Sequence, residues 1–181
     1  MDFIEGLPKS KEKDNILVIV DQLTKFTHFI GLAHPYTAKE VAWVFLDQVI
    51  AVHGIPKTII FDHDKIFTSL LWQELMKALR IKLNISTAYH PQSDGQTEWV
   101  NQSLETYLRR VCILQRKAWH RWLTLAQWWY NSSHHSFLKM SPFEALFGYK
   151  PPPLPTIGNH TSAASVEEYL QQGREVLQQL K

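Results

Sequence analysis

Five consecutive apolar residues, Ile16-Leu17-Val18-Ile19-Val20, four of them β-branched, constrain this chain more than any other stretch. A strand turns alternate side chains to opposite faces, so an unbroken apolar run marks a strand covered on both sides. The rest of the chain must supply those covering layers. Met1-Asp2-Phe3-Ile4 begins in mid-pattern and reads as the end of a first strand that starts upstream, closed by Gly6-Leu7-Pro8. Phe26 to Leu32 reads as a third strand, so the three form an antiparallel meander.

The covering elements follow in order. Thr37-Ala38-Lys39-Glu40 is a capping box, and Val41, Val44, Phe45, Gln48, Val49 and Val52 at spacings of three and four predict a helix over 38–52 with one core face. Gly54 and Pro56 end it. Lys57 to Asp62 is a fourth strand entered from a helix and therefore parallel to its neighbour. A short helix over 69–79 and a fifth strand over 81–87 come next. A polar loop, Ser86 to Thr97, then leads to the longest helix, from Asp94 to about Lys117, with Val100, Leu104, Tyr107, Leu108, Val111 and Leu114 on its apolar side and Glu98, Asn101, Gln102, Glu105 and Arg109 on the other. Trp119, Trp122, Leu123, Leu125, Ala126, Trp129 and Tyr130 mark a further helix. Ser141-Pro142-Phe143-Glu144 caps a short one that Gly148 ends. The fold class expected is α/β: a mixed five-stranded sheet, antiparallel meander plus parallel strands, flanked by helices. Its compact core spans 1–150, a Pro-rich linker 151–164, and a C-terminal helix 165–181 leads to a further module.

Composition narrows the classes of function. The 19 basic and 17 acidic residues leave a net charge of +2, so a polyanionic partner requires local clustering of cations. One cysteine, Cys112, excludes an internal disulfide and a zinc site of paired cysteines, and fits a reducing compartment. No apolar run reaches the roughly 18 residues of a membrane span, so the chain reads as soluble and intracellular. At 181 residues, 45% of them hydrophobic, one domain with a substantial core is expected.

Three acids then attract notice. Asp2 lies on the first strand, Asp62 at the exit of the fourth, and Glu98 at the start of the long helix; they converge at one sheet edge if strands one and four are neighbours. Glu98 alone has a local explanation, since an acid in a first helical turn is favoured by about 0.3–1 kcal/mol. Three clustered carboxylates repel and call for divalent cations. Hard cations such as Mg²⁺ prefer such oxygens, and a pair about 3.5–4 Å apart supports in-line phosphoryl transfer. Asp21 and Asp64 are competing acids: Asp21 precedes a turn, where Asp is expected on structural grounds, and Asp64 is two residues beyond Asp62.

Met1-Asp2-Phe3-Ile4-Glu5-Gly6-Leu7-Pro8, Asp62-His63-Asp64-Lys65-Ile66-Phe67, the stretch Ser86-Thr87-Ala88-Tyr89-His90-Pro91-Gln92-Ser93-Asp94-Gly95-Gln96-Thr97-Glu98, and Met140-Ser141-Pro142-Phe143-Glu144 together closely resemble the integrase core of gypsy-type LTR retrotransposon polyproteins, related to retroviral integrases. The resemblance covers nearly the whole chain. It implies the RNase H-like fold, two Mg²⁺ or Mn²⁺ ions, trimming of the 3′ ends of element DNA and strand transfer of those ends into host DNA. Asp2, Asp62 and Glu98 match the family's catalytic and metal-binding triad, and the 35 residues between Asp62 and Glu98 match its spacing. Phe61 and His63 stand where the family usually has Ser or Thr and often Arg.

The resemblance further implies that Tyr89, Gln92 and Ser93 lie near the DNA end and that Asn101 lies on the helix face beside the acid. Lys65, Arg109, Arg110, Arg116 and Lys117 are candidate phosphate contacts, or equally a solvated basic face. Retroviral relatives carry lysines where Gln102 and Glu105 stand. The implied partners are double-stranded DNA, both element ends and host target, and a second copy of the chain in a homodimer or higher assembly. The implied location is the host nucleus, preceded by a virus-like particle in the cytoplasm. Helical spacing of Trp119, Trp122, Trp128 and Trp129 favours packing over base stacking, and His134-His135 reads as a loop pair. Two other functions stay open: a catalytically silent or domesticated DNA-binding or interaction domain, and an RNase H-type nuclease.

Overall fold

In the computed structural model of the chain, the apolar run lies in the middle strand of a three-stranded sheet, order β1-β2-β3, with β1 at Asp2–Ile4, β2 at Asn15–Val20 and β3 at Thr27–Leu32. The structure describes residues 1–62, 64–85, 91–113, 116–153 and 171, with the backbone alone for 91–96. β1 runs antiparallel to β2, placing Asp2 opposite Val18 and Ile4 opposite Ile16. Ile16, Leu17, Val18 and Ile19 are all buried, as a strand covered on both faces requires.

β4 (Thr58–Phe61) and β5 (Lys82–Ile85) pair in parallel, Thr58 opposite Lys82 and Phe61 opposite Ile85. Among the described residues the strands therefore bond as three plus two, instead of as one continuous five-stranded sheet. Between the groups, the Met1 ammonium donates to the Ile60 carbonyl at 2.8 Å, which sets the start of β1 beside the end of β4. The expected neighbour relation of strands one and four is thus present at that point, although β1 is only three residues long.

Helices form where capping and periodicity placed them. Thr37 and Glu40 make the reciprocal capping box of α1 (Ala38–Val44). That helix continues through a π-helical stretch, Phe45–Ile50, into α2 (Ala51–His53). Ser69 caps α3 (Leu70–Ala78) by accepting from the Trp72 N–H. α4 runs from Pro91 to Val111, starting earlier and ending earlier than its pattern suggested. A 3₁₀ turn (Arg116–Ala118), α5 (Trp119–Ser132) and α6 (Pro142–Phe147) follow, with the Ser141 hydroxyl accepting from the Glu144 N–H. The 165–181 helix lies outside the described residues apart from Gln171. No helix among the described residues is long and apolar enough to cross a membrane.

The chain divides into two units, Met1–Val20 with His28–Ser103, and Asp21–Thr27 with Leu104–Lys181. The first is built on Leu17, Ile19, Ile30, Val41, Phe45, Ile59, Phe61, Phe67, Trp72 and Met76. Phe67, fully buried, meets Phe3 at 5.1 Å, Phe61 at 5.4 Å and Trp72 at 5.2 Å between ring centroids. One ring thereby fastens β1, β4 and α3 together. In the second unit, the Asn131 side chain accepts from the Thr27 N–H and donates to the Thr27 carbonyl, both at 2.8 Å, satisfying both backbone groups at the start of β3. Trp119 and Trp122 are buried, Trp129 stacks on Tyr107, and Trp128 meets Phe143 edge-on. Packing accounts for this aromatic helix.

Candidate functional site

Phe3 and Phe61 both turn onto Phe67, and each precedes or follows an acid by one residue. Side chains alternate along an extended chain. Asp2 and Asp62 are therefore turned away from the core, at the two chain segments that the Met1–Ile60 bond sets side by side. Asp2 is half-buried and Asp62, immediately after β4, is exposed.

The Asp2 carboxylate is held at both oxygens. Oδ1 accepts from the Phe3 N–H at 2.8 Å, and Oδ2 accepts from Asn101 Nδ2 at 2.7 Å. Asn101 lies one helical turn after Glu98 on α4, and residues three apart share a face with Cβ atoms about 5–6 Å apart. The Asn101 bond thus brings the Glu98 side of α4 against β1. Glu98 is exposed. It is the eighth residue of α4, two turns in from Pro91, so the expected helix-start placement is corrected. The dipole effect fades within the first turn and gives no local reason for an acid there.

The competing acids have structural work. Asp64 Oδ1 accepts from the Ile66 N–H at 2.7 Å, closing the loop after β4. Asp21 Oδ2 accepts from the Thr24 N–H at 2.9 Å and from the Thr24 hydroxyl at 2.5 Å, closing a turn of the other unit. Among the described residues, neither Asp2 nor Glu98 has a basic side chain within ion-pair range. Also among them, no three His, Cys, Asp or Glu side chains are disposed to hold one metal ion. The donor set suits a hard cation by type, since every candidate is a carboxylate or amide oxygen. Asn101 Oδ1 is buried with no hydrogen-bond partner among the described residues.

The other candidates are placed as follows. Lys65 is exposed in the loop after β4, three residues beyond Asp62. Arg109 and Arg110 are exposed on the part of α4 belonging to the second unit, where Arg109 pairs with Glu105 at 3.2 Å. Arg116 and Lys117 are exposed in the 3₁₀ turn. Tyr89 lies outside the described residues, as do the side chains of Gln92 and Ser93, whose backbone is in α4. His63 also lies outside them, while Phe61 is a core residue. Asn101 was expected near DNA; the tie to Asp2 is a role that sequence pattern did not reveal, because nothing local marks a bond across 99 positions.

No protein-family model matches the chain. It is 37% identical over 171 residues, 92% of its length, to the transposon Tf2-3 and Tf2-4 polyproteins of Schizosaccharomyces pombe, and spans 13% of each. Among solved structures, it is similar to a chain of the simian T-cell lymphotropic virus intasome bound to the PP2A regulatory subunit B56 gamma, with a TM-score of 0.68 and 21% identity over 90% of this chain and 59% of that one. It is also similar to the HTLV-2 integrase catalytic core domain in complex with magnesium, trimeric form, with a TM-score of 0.63 and 19% identity over 80% of this chain and 93% of that one. The RNase H-like α/β fold expected from the sequence is the fold of these structures.

Proposed function

We propose that the chain is an integrase-like core of a retrotransposon polyprotein and that it carries out metal-dependent phosphoryl transfer in DNA integration, processing the 3′ ends of element DNA and joining them to host DNA. Asp2, Asp62 and Glu98 are the residues that would hold Mg²⁺ or Mn²⁺, in a pair as the resemblance implies. When bound, such ions activate an oxygen nucleophile and stabilise the leaving oxygen of an in-line displacement. The chain's own part is positional. Asn101 and the Phe3 N–H fix the Asp2 carboxylate, and Phe67 anchors the residues next to Asp2 and Asp62.

The observation that carries the reading is the Asn101–Asp2 bond, which joins the first strand to the helix one turn beyond Glu98. Its test is a strand-transfer or disintegration assay on short DNA with Mn²⁺, comparing the chain with Glu98→Gln and Asp62→Asn. Product from the native chain alone is the expected result; equal product from all three would remove the triad. A second reading, a fold kept for DNA binding or protein interaction without chemistry, is favoured by Phe61, a buried ring where the resembling family usually carries Ser or Thr. A native chain with no product on DNA it binds would select it.

Double-stranded DNA and a second copy of the chain are the proposed partners, and the host nucleus the proposed place of action. The HTLV-2 core was solved in a dimeric as well as a trimeric form, which supports self-association here.

A further inference from the structure

Beside the end of β4 lies an open groove of about 560 Å³ lined by α3, the turn after it and β5. Among the described lining residues three, Lys77, Arg80 and Lys82, are cationic and none is acidic. Glu74 lies 3.6 Å from Lys77, but that pair is highly exposed on both sides and weak enough for a phosphate to displace. In a chain of net charge +2, three cations on one concave surface are a local concentration that overall composition conceals.

Arg80 adds a second observation. It follows the C-cap Leu79 with φ +58°, its N–H donating to the Lys77 carbonyl and the next N–H, of Ile81, to the Met76 carbonyl. This is the helix-end position where the left-handed backbone ordinarily selects Gly. Here an Arg occupies it and lines the groove instead.

We propose that this groove binds the sugar-phosphate backbone of duplex DNA, with Lys77, Arg80 and Lys82 as the phosphate contacts. The proposal rests on the DNA-integration reading and adds to it a site one residue away from Asp62, since Phe61 lines the groove. Duplex is favoured over single strand by the floor. Binding of single strands relies on aromatic faces offered to bases, whereas Phe61 and Phe67 are 3% and 0% exposed and offer none. The uncharged lining that remains accessible is Ile85, 45% exposed, with the exposed polar side chains of Thr68 and Gln73, a mixture that suits deoxyribose and phosphate.

The test is fluorescence anisotropy of the full chain with a short labelled duplex across a salt series. Each phosphate contact contributes about 0.9 to the slope of log affinity against log salt. The triple variant Lys77→Gln, Arg80→Gly, Lys82→Gln is expected to flatten that slope by about 2.7, so that raising salt from about 50 to 200 mM weakens it roughly fortyfold less than the native chain. A flattening no larger than about 0.9, one contact's worth, overturns the proposal. Arg80→Gly alone keeps the test readable if the triple variant unfolds: Gly suits the left-handed backbone, so it should melt no lower than the native chain, and an unchanged slope in it also overturns the site. Equal losses for duplex and single-stranded DNA would overturn the duplex assignment. Binding is read without divalent ions, so the loss in the cation variants is measured apart from the Asp2, Asp62 and Glu98 triad. A native chain that binds duplex with the expected slope but yields no strand-transfer product would therefore remove the catalytic reading while leaving the groove.

Discussion

Asn101 Nδ2 donates to Asp2 Oδ2 across 2.7 Å, linking residues 99 positions apart. Asn101→Leu removes the donor and leaves a half-buried carboxylate oxygen without it. A loss of about 1–3 kcal/mol in urea unfolding is expected, with strand-transfer activity falling more steeply than stability. Asn101→Asp sets a second carboxylate against Asp2; it should destabilise at neutral pH and recover on acidification, as repulsion between like charges is relieved by protonation. A urea midpoint unmoved in both variants would show that the bond holds nothing in place.

Asn131 and Thr27 exchange two hydrogen bonds of 2.8 Å inside the second unit, with Asn131 only 2% exposed. Asn131→Leu strands both backbone groups of Thr27 in the interior. Each unsatisfied group costs about 1–3 kcal/mol, so this substitution should rank among the most destabilising single changes in the chain by thermal or urea unfolding. Asn131→Asp keeps the acceptor, loses the donor and should fall between.

His28 Nε2 lies 2.8 Å from His53 Nε2 in the first unit. Burial first, and the neighbouring His53 second, lower the His28 pKa from 6.5 to about 4. The folded state thus resists a proton that the unfolded chain accepts. The stability so conferred is complete above the unfolded value of about 6.5 and is lost as pH falls from there to about 4, on the order of 3 kcal/mol in all. Urea midpoints measured between neutral and acidic pH should decline over that window, and His28→Gln should flatten the decline. An equally steep decline in the variant would place its source elsewhere.

Asp64 and Asp62 are separable by substitution. Asp64→Asn retains an oxygen for the Ile66 N–H that Asp64 Oδ1 now receives, so stability and strand transfer should both survive. Asp62→Asn should abolish product without lowering the melting temperature. The reverse pattern would exchange the roles of the two acids.

Burial raises the Cys112 thiol to about 11, against a lesser opposing effect of Arg121. The thiolate is the reactive form. Disulfide reagents at mildly alkaline pH should modify the folded chain far more slowly than the urea-unfolded one; equal rates would mean that Cys112 is open to solvent.

Several elements were legible because their signals are local. Ile16 to Val20 carried its burial in its own composition, and Thr37 with Glu40, and Ser141 with Glu144, announced helix starts through residues three apart. The start of α4 was misplaced for an equally local reason. Pro91 and Gly95 read as loop residues, yet Pro is accommodated in a first helical turn and an interior Gly costs only about 1 kcal/mol. Val100, Leu104, Tyr107 and Leu108, all buried, give this helix a packed face that outweighs such a cost. That shift moved Glu98 from the helix start into its third turn, and with it the local explanation for an acid was lost.

Sequence by itself determined the α/β class and most of the elements, and its resemblance to integrase cores singled out three acids as a proposed metal site. Only the tertiary structure decided that Asn101 grips Asp2, that Phe67 fastens the neighbours of Asp2 and Asp62, and that Lys77, Arg80 and Lys82 line one groove. The reason is physical. Periodicity and caps report interactions within a turn or a strand, where chain connectivity already dictates which groups meet. Contacts between residues 59 or 99 positions apart depend on which faces are buried together, and no short window of sequence contains that choice.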